Sequence, residues 1–513
     1  MKCLLKFLKE NWKVVSLIVI GIVVRIIYLG IVPGGINQDE AFAGYEAYSL
    51  LRYGIDSSGY HLPVYFVSWG SGMNVLNSYL MIPFIMLFGL ETWVIRLPQV
   101  LVGCASLPVF YLLLKKVFGE KTALIGLFIL TISPWHIMMT RWGLESNLAP
   151  GFLLFGLYFF ILGIENNKYM ILSALFYGLG LYTYAAIWTV TALIIMISIV
   201  YYCYSNRPRV NRYLMISLVI LIVFAIPLLL FIMVNKGLIN EIKTPFISIP
   251  RMVYYRGGEV SLKNISDNMK TLYGVVGKQS DGLLWNEIDK FGLYYKFSMP
   301  LIFIGLIYLV VKIFTKIKSG MHSMEMFILI QLLAATVLGC LVSVNVNRVN
   351  SIHIPILICL TLGISFFSEK INKKIVFAIA FIYSVSFVSF FNNYVTDYNK
   401  DISVSFQRGL EDAVGFAMKF DDAQVYVTDG ILYPKVLFYS KFPTDEYVKT
   451  VKYKNYPAAF LSVSSCGNLH FGINKSELNP EKVYIINNNE FKDYADRGYN
   501  IEHFENFSVA YMK

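Results

Sequence analysis

For roughly three quarters of its length the chain alternates long apolar runs with short polar loops. Apolar segments lie near residues 14 to 32, 97 to 114, 122 to 139, 148 to 164, 169 to 186, 188 to 204, 214 to 234, 299 to 311, 326 to 344, 352 to 368 and 375 to 391. Runs of this kind read as membrane-spanning helices, about eleven of them, with several near the lower length limit for a span. A further stretch, "MNVLNSYLMIPFIMLFGL" from Met73 to Leu90, is ambiguous. Its Asn74, Asn77 and mid-segment Pro83 suit an interfacial or re-entrant helix better than a lipid-facing span.

The basic loops favour the same choice. If Met73 to Leu90 does not cross, "KKVFGEK" (115 to 121), "NRPRVNR" (206 to 212), "KIFTKIK" (312 to 318) and "EKINKK" (369 to 374) all face the cytoplasm, as the positive-inside rule prefers. The opposite side then gathers a long first outer loop, 33 to 96, with amphipathic helices. It also gathers "TRWGLESN" (140 to 147), "LYTYAAIW" (181 to 188), residues 235 to 298, "NVNRVNSIH" (345 to 353) and the tail from 392.

That tail has a different period. In "SVSFQRGLEDAVGFAMKF", Phe406, Leu410, Val414, Ala417 and Phe420 fall at helical spacing, while "AQVYVTD" and "KVYIINN" read as short buried strands. "EFKDYADRGYN" suggests another helix and turn, and "FSVAYM" a closing strand. The expected organisation is a transmembrane domain over 1–391 and a small extracytoplasmic α/β domain over 392–513, with no internal repeat and no Gly/Ser-rich linker.

Composition supports the membrane reading: 56% of the 513 residues are hydrophobic and 15% charged, so lipid must cover much of the apolar surface. The basic start "MKCLLKFLKENWK" leads into an apolar run with no small-residue cleavage site, which predicts an uncleaved first span with a cytoplasmic N-terminus in a multi-pass protein of the plasma membrane. The formal charge of +11 does not point to nucleic acid. From residue 392 there are 13 Lys and Arg against 16 Asp and Glu, so the excess sits earlier, largely in short loops where it reports topology. The six cysteines have no metal-like spacing.

The candidate chemistry lies on the outer loops. Asp39 and Glu40 open an amphipathic helix, in "GGINQDEAFAGYEAYSLLRYG". Adjacent helical positions point about 100° apart, so one can face a cleft while the other supports it or binds a cation; both also suit the helix dipole as ordinary first-turn acids. Arg141 and Glu145, one helical turn apart, read equally as an intrahelical ion pair. Arg96, Arg348, Arg251 and Arg256 each fit an interfacial anchor, yet together on the outer face they hint at an anionic ligand such as a phosphate. His61, His136 and His353 share this side without metal spacing. Tyr182, Tyr184 and Trp188 suit a sugar platform or an aromatic belt. Arg25, inside the first segment, snorkels or pairs within the bundle.

The order of a first span, the outer-loop Asp-Glu, "HLP" (61 to 63), an interfacial helix ending in "LFG", "WVIRLPQVLVG" and "LLLKKVFGEKTALIGLFILTISP", then an Arg and an acid, resembles the membrane-embedded GT-C glycosyltransferases. The similar branch is glycosyltransferase family 39 in the broad sense, the protein O-mannosyltransferase and aminoarabinose transferase group. The resemblance is strong over 14 to 165, diffuse to 391 and absent in the tail. It implies inverting transfer of a hexose or pentose from a polyprenyl-phosphate donor to a glycan, lipid or protein acceptor in the cell envelope. By resemblance Asp39 is the general base, Glu40 its neighbour, Glu145 the second acid and Arg96 the arginine before the second span. Arg348 matches a basic residue before a late span, with Arg141 and Arg256 as further phosphate-binding candidates. His61, Tyr182 and Tyr184 are substrate-binding candidates, and Asp39 with Glu145 is a candidate pair for a divalent cation, Mg or Mn. The chain departs from the family in reading "HLP" where His-Pro-Pro or Lys-Pro-Pro is frequent, and in carrying Glu145 where Asp is frequent. A lipid-linked sugar flippase, or a non-catalytic subunit of an envelope assembly, are the alternatives; a flippase would be expected to show paired broken helices or a repeat.

Overall fold

The computed structural model describes residues 9–206, 210–255, 263–371, 374–420 and 423–512. Helices cover most of every apolar segment expected from the sequence. The first helices are α1 (Trp12–Ile26), α2 (Gln38–Tyr53), α3 (Leu76–Phe88), α4 (Leu97–Phe118), α5 (Glu120–Ile132) and α6 (Pro134–Met139). Then come α7 (Ala149–Glu165), α8 (Tyr169–Gly180), α9 (Ile187–Asn206), α10 (Arg212–Asn235), α11 (Ile265–Tyr273), α12 (Met299–Lys318), α13 (Glu325–Leu341), α14 (His353–Lys370) and α15 (Ile375–Val395). Among the described residues, seven helices are long and apolar enough to cross a membrane. The protein is therefore a polytopic helical membrane protein, with shorter apolar helices filling the bundle between them. The stretch read as one span over 122 to 139 is broken: Ser133 leaves the helix and Pro134 starts α6, because proline cannot donate to the preceding turn. Helix α3 is 13 residues long with Pro83 inside it, short for a crossing.

α7 and α14 are buried along most of their length at the bundle centre, whereas α10 and α15 present mainly apolar surface outward. α12 and α14 touch backbone to backbone: a Cβ on Gly305 would collide with the carbonyl of Cys359, and one on Gly363 with that of Leu301. Only a side chain without bulk lets the two axes come this close.

Short antiparallel pairs brace two of the loops between helices, β1 (Tyr65–Phe66) with β2 (Met73–Asn74) and β3 (Ile242–Lys243) with β4 (Ser248–Ile249). The tail forms a seven-stranded sheet. Its strands are β5 (Val425–Val427), β6 (Lys452–Tyr453), β7 (Val463–Cys466), β8 (Leu469–Phe471), β9 (Val483–Asn487), β10 (Asn500–His503) and β11 (Phe507–Tyr511), in the order β10-β11-β9-β5-β8-β7-β6. β5 pairs in parallel with β8 and β9, and the outer pairings are antiparallel. Helices α16 (Asp397–Ser405), α17 (Leu410–Ala417), α18 (Tyr433–Ser440), α19 (Thr444–Thr450) and α20 (Phe491–Ala495) flank it. The single helix expected over 403 to 420 is two: Gln407 and Gly409 take positive φ, 58° and 89°, and end the first before the second begins.

α2 joins the two regions. Ala41, Phe42, Ala43, Ala47 and Leu50 pack into a cluster with α3 residues Met81 and Ile85, while Tyr45 belongs to the core of the tail with Val436, Leu437 and Tyr447. The helix read as amphipathic is covered on both sides.

Candidate active site

The first turn of α2 separates the two acids. Asn37 caps the helix: its Oδ1 accepts from the Asp39 N–H at 2.9 Å, and the Glu40 carboxylate accepts from the Asn37 N–H at 3.4 Å, a reciprocal capping box. Glu40 is fully buried and meets Arg96, whose Nε donates to Oε1 at 2.5 Å and whose Nη2 donates to Oε2 at 3.3 Å. The same guanidinium donates to the carbonyls of Pro33 at 2.9 Å and Gly35 at 2.8 Å. Arg96 is thus committed to holding the loop before α2, and its geometry does not offer it to a donor phosphate. Asp39 is half-buried and within electrostatic reach of Glu145.

Glu145 is not on a helix with Arg141. α6 ends at Met139, and Glu145 opens a separate 3₁₀ turn, Glu145–Leu148, so neither an intrahelical ion pair nor a shared phosphate site joins them. Arg141 is fully buried and turned toward α1, donating to the carbonyls of Val24 (2.9 Å), Arg25 (3.0 Å), Ile27 (2.7 Å) and Val32 (3.0 Å). It closes the C-terminal end of α1, whose last carbonyls lack helical partners. Arg25 is a structural residue as well: it donates to Gly21 and Leu130 carbonyls and contacts His136 Nδ1.

Around Glu145 the loop is pinned from several elements. The Asn74 N–H of β2 donates to the Glu145 carboxylate, Asn77 Nδ2 to the Gly143 carbonyl at 2.7 Å and Gln99 Nε2 to the Leu144 carbonyl at 2.8 Å. From the far side Asn350 Nδ2 donates to Ser146 O at 3.2 Å, and Trp135 Nε1 fixes Asn350 at 2.9 Å. In the sequence alone Asn74 and Asn77 mark only an interfacial segment, and Gln99 and Asn350 have no evident role. Their signal was a carboxamide at an apolar helix end, which in a membrane protein needs a partner.

Glu145 opens into a cavity of about 260 Å³ shared with Tyr65, Ser71, Tyr184, Trp188, Tyr255 and Arg348. One acid, one arginine and several aromatic rings therefore face a single space. Arg348 is half-buried and donates to Ser343, through the hydroxyl and, at 3.3 Å, the carbonyl.

Other candidates fall elsewhere. Tyr182 is not among the cavity residues; its hydroxyl donates to the Phe224 carbonyl at 2.9 Å and its own carbonyl accepts from Leu76 N–H. His61 is exposed and contacts the Gly54 carbonyl. Arg251 is exposed and donates to Ile239 O, and Arg256 lies outside the described residues. His136 and His353 are buried apart, the second against Tyr294 and Trp135. Among the described residues no three His, Cys, Asp or Glu side chains come together.

Beneath α2 lies a second acidic pair that sequence reasoning missed. Burial, and then repulsion from Asp56, push the Glu46 carboxyl up to about 8, although Ser57 donates to it through N–H (2.9 Å) and hydroxyl. Asp56 is raised too, chiefly by burial, against hydrogen bonds from Ser58 and Tyr60 N–H.

This architecture is the GT-C glycosyltransferase fold, and the chain is like family 39 over residues 47–231. Residues 47–231 match the family model for dolichyl-phosphate-mannose-protein mannosyltransferase. Over 95 residues the chain is 32% identical to YkcB of Bacillus subtilis (strain 168), whose name is that of a mannosyltransferase; the match spans 18% of this chain and 13% of that protein. The crystal structure of ArnT from Cupriavidus metallidurans bound to undecaprenyl phosphate superposes with a TM-score of 0.59 at 12% identity, covering 98% of each chain. ArnT in its apo state gives 0.56 over the same shares. At that identity the likeness is one of fold.

Proposed function

We propose that the protein is a glycosyltransferase that moves a sugar from a polyprenyl-phosphate donor to an acceptor outside the cytoplasm, with inversion at the anomeric carbon. The carrying observation is the cavity in which Glu145, Arg348 and Tyr184 meet, with Asp39 within electrostatic reach of Glu145. An acceptor hydroxyl, on a glycan, lipid or protein, attacks the anomeric carbon opposite the phosphate. As the new C–O bond forms, the bond to the phosphate oxygen breaks and Asp39 takes the hydroxyl proton. The leaving group departs as a phosphate already ionised, so it needs cationic stabilisation more than a general acid, and Arg348 is placed to give it. Tyr184 and Trp188 offer faces on which a sugar ring packs. Asp39 and Glu145 are also the carboxylates that would hold a divalent cation, Mg or Mn, leaving its remaining positions to water or phosphate. Such an ion would add charge stabilisation to the departing phosphate.

Residues 1–391 form the catalytic membrane domain in this reading, and 392–513 an extracytoplasmic cover. The site lies at a membrane edge because the carrier's tail remains in lipid while its headgroup enters the outer loops. The N-terminus is cytoplasmic and the membrane is the plasma membrane.

The test is transfer by purified wild type and Asp39→Asn in lipid, with radiolabelled polyprenyl-phosphate sugars and a membrane extract as acceptor. Label moves to a new product with wild type, and the Asn variant, folded to the same extent, loses at least about a hundredfold in rate. Full activity in the variant removes Asp39 as the base; carriage of the donor across vesicles without covalent transfer would favour a flippase instead.

A further inference from the structure

The tail is tied to the turn that carries Asp39. Ile36 N–H donates to the Phe406 carbonyl at 2.9 Å, and Gly34 N–H to Asn399 Oδ1 at 2.8 Å. Gly35, at φ +81°, lies so close to the Phe406 carbonyl that any Cβ would collide with it. The next residue, Gln407, takes a left-handed conformation rare outside glycine and uses both ends of its carboxamide. Its Nε2 donates to Gly430 O at 3.1 Å, and its Oε1 accepts from Lys435 Nζ at 2.9 Å.

Lys435 is buried, which is rare for a lysine. It sits in the first turn of α18, the helix whose Phe438 packs against Gly44 of α2. Two further bonds fix this docking: Tyr45 Oη donates to the Phe442 carbonyl at 2.9 Å and Thr444 Oγ1 to Ser49 Oγ at 2.7 Å. Burial pushes the Lys435 ammonium down to about 7, and Glu40 and then Asp39 pull it back up, so both carboxylates act on it. Asp39 and Glu40 both stand in the first turn of α2, where carboxylates would repel an anionic donor. Arg96 meets Glu40, and Lys435 is a second buried cation in the same field.

We infer that Lys435 is a positioning residue of the transfer site, supplied by the tail: its ammonium, held by Gln407, offsets the carboxylates around Asp39 so that a sugar-phosphate donor can approach. This rests on the transferase reading above. It also gives the tail a working part in the site rather than that of an appended module.

The experiment compares full-length wild type, Lys435→Met, Lys435→Arg and Gln407→Leu in lipid nanodiscs. It measures affinity for undecaprenyl phosphate at low and high salt, the thermal midpoint, and the split between KM for the donor and kcat. Met matches the lysine's volume without its charge, and the thermal midpoint shows whether the fold survives. Lys435→Met should weaken binding roughly tenfold at low salt, raise KM more than it lowers kcat, and flatten the salt dependence; Arg should restore most of the affinity. Gln407→Leu should weaken binding in the same direction. Unchanged affinity in a folded Lys435→Met protein overturns the role of Lys435 alone. If Lys435→Met fails to fold, normal affinity in folded Gln407→Leu overturns it instead. Wild type that does not bind undecaprenyl phosphate overturns the transferase reading and this inference with it.

Discussion

Arg96 and Glu40 face one another with both side chains fully excluded from solvent, Nε to Oε1 at 2.5 Å. The acidic residue next to the proposed base is consequently a structural group. Removing one partner strands a buried charge, so Arg96→Met or Glu40→Leu should each lower stability by about 3–5 kcal/mol. The double apolar variant should recover much of that loss. Thermal unfolding in detergent, read by tryptophan fluorescence, measures all three.

Arg141 is expected to behave like Arg96 and unlike Arg348. Its guanidinium closes the end of α1 through four carbonyls, and Arg141→Met should reduce the yield of folded protein. Arg348→Ala leaves no backbone groups in the core unpaired, so its thermal midpoint should stay near wild type. Its KM for a polyprenyl-phosphate donor should rise roughly tenfold, the loss of one charge-assisted phosphate contact. Expression-corrected kinetics on the pair of variants separates the two behaviours.

Glu145→Gln keeps a carbonyl oxygen to accept from the Asn74 N–H and removes the ionisable carboxyl group from the neighbourhood of Asp39. Folding should be retained while the rate of transfer falls about tenfold or more. Glu145→Asp shortens the reach into the cavity and should lower the rate as well. A Gln variant as active as wild type would show that the second acid only fastens the loop.

Glu46 makes stability depend on pH. Its carboxyl titrates in the folded protein at about 8 against an ordinary 4.5, so the folded state holds a proton that the unfolded chain has released across that window. The contribution is fully present below about 4.5 and is lost as pH rises through about 8, at no more than about 1.4 kcal/mol per pH unit. Melting curves between pH 5 and 8 should show a falling midpoint in wild type and a shallower fall in Glu46→Gln; equal slopes would remove Glu46 as the cause.

The apolar runs determined the helices by themselves, because a backbone in lipid must satisfy its own hydrogen bonds and length then sets which runs can cross. The paired acids and the motif order around them are equally local, and they single out Asp39 and Glu145 as candidates from neighbouring residues alone. Which acid is spoken for was a different matter. Asp39 and Glu40 differ only in the direction each takes from the first turn of α2, and the arginine that claims Glu40 lies 56 positions away. Arg141 and Glu145 are spaced like one helical turn, but α6 ends at Met139 and Glu145 opens a separate 3₁₀ turn, so the spacing is not helical. Lys435 carried no signal in an ordinary amphipathic stretch of the tail. Only the packing of α18 on α2, through Gly44 and Phe438, took it out of water and brought its charge to the carboxylates. Periodicity and local motifs are written in neighbouring residues, whereas the pairing of charges across hundreds of positions is decided by which surfaces exclude water together.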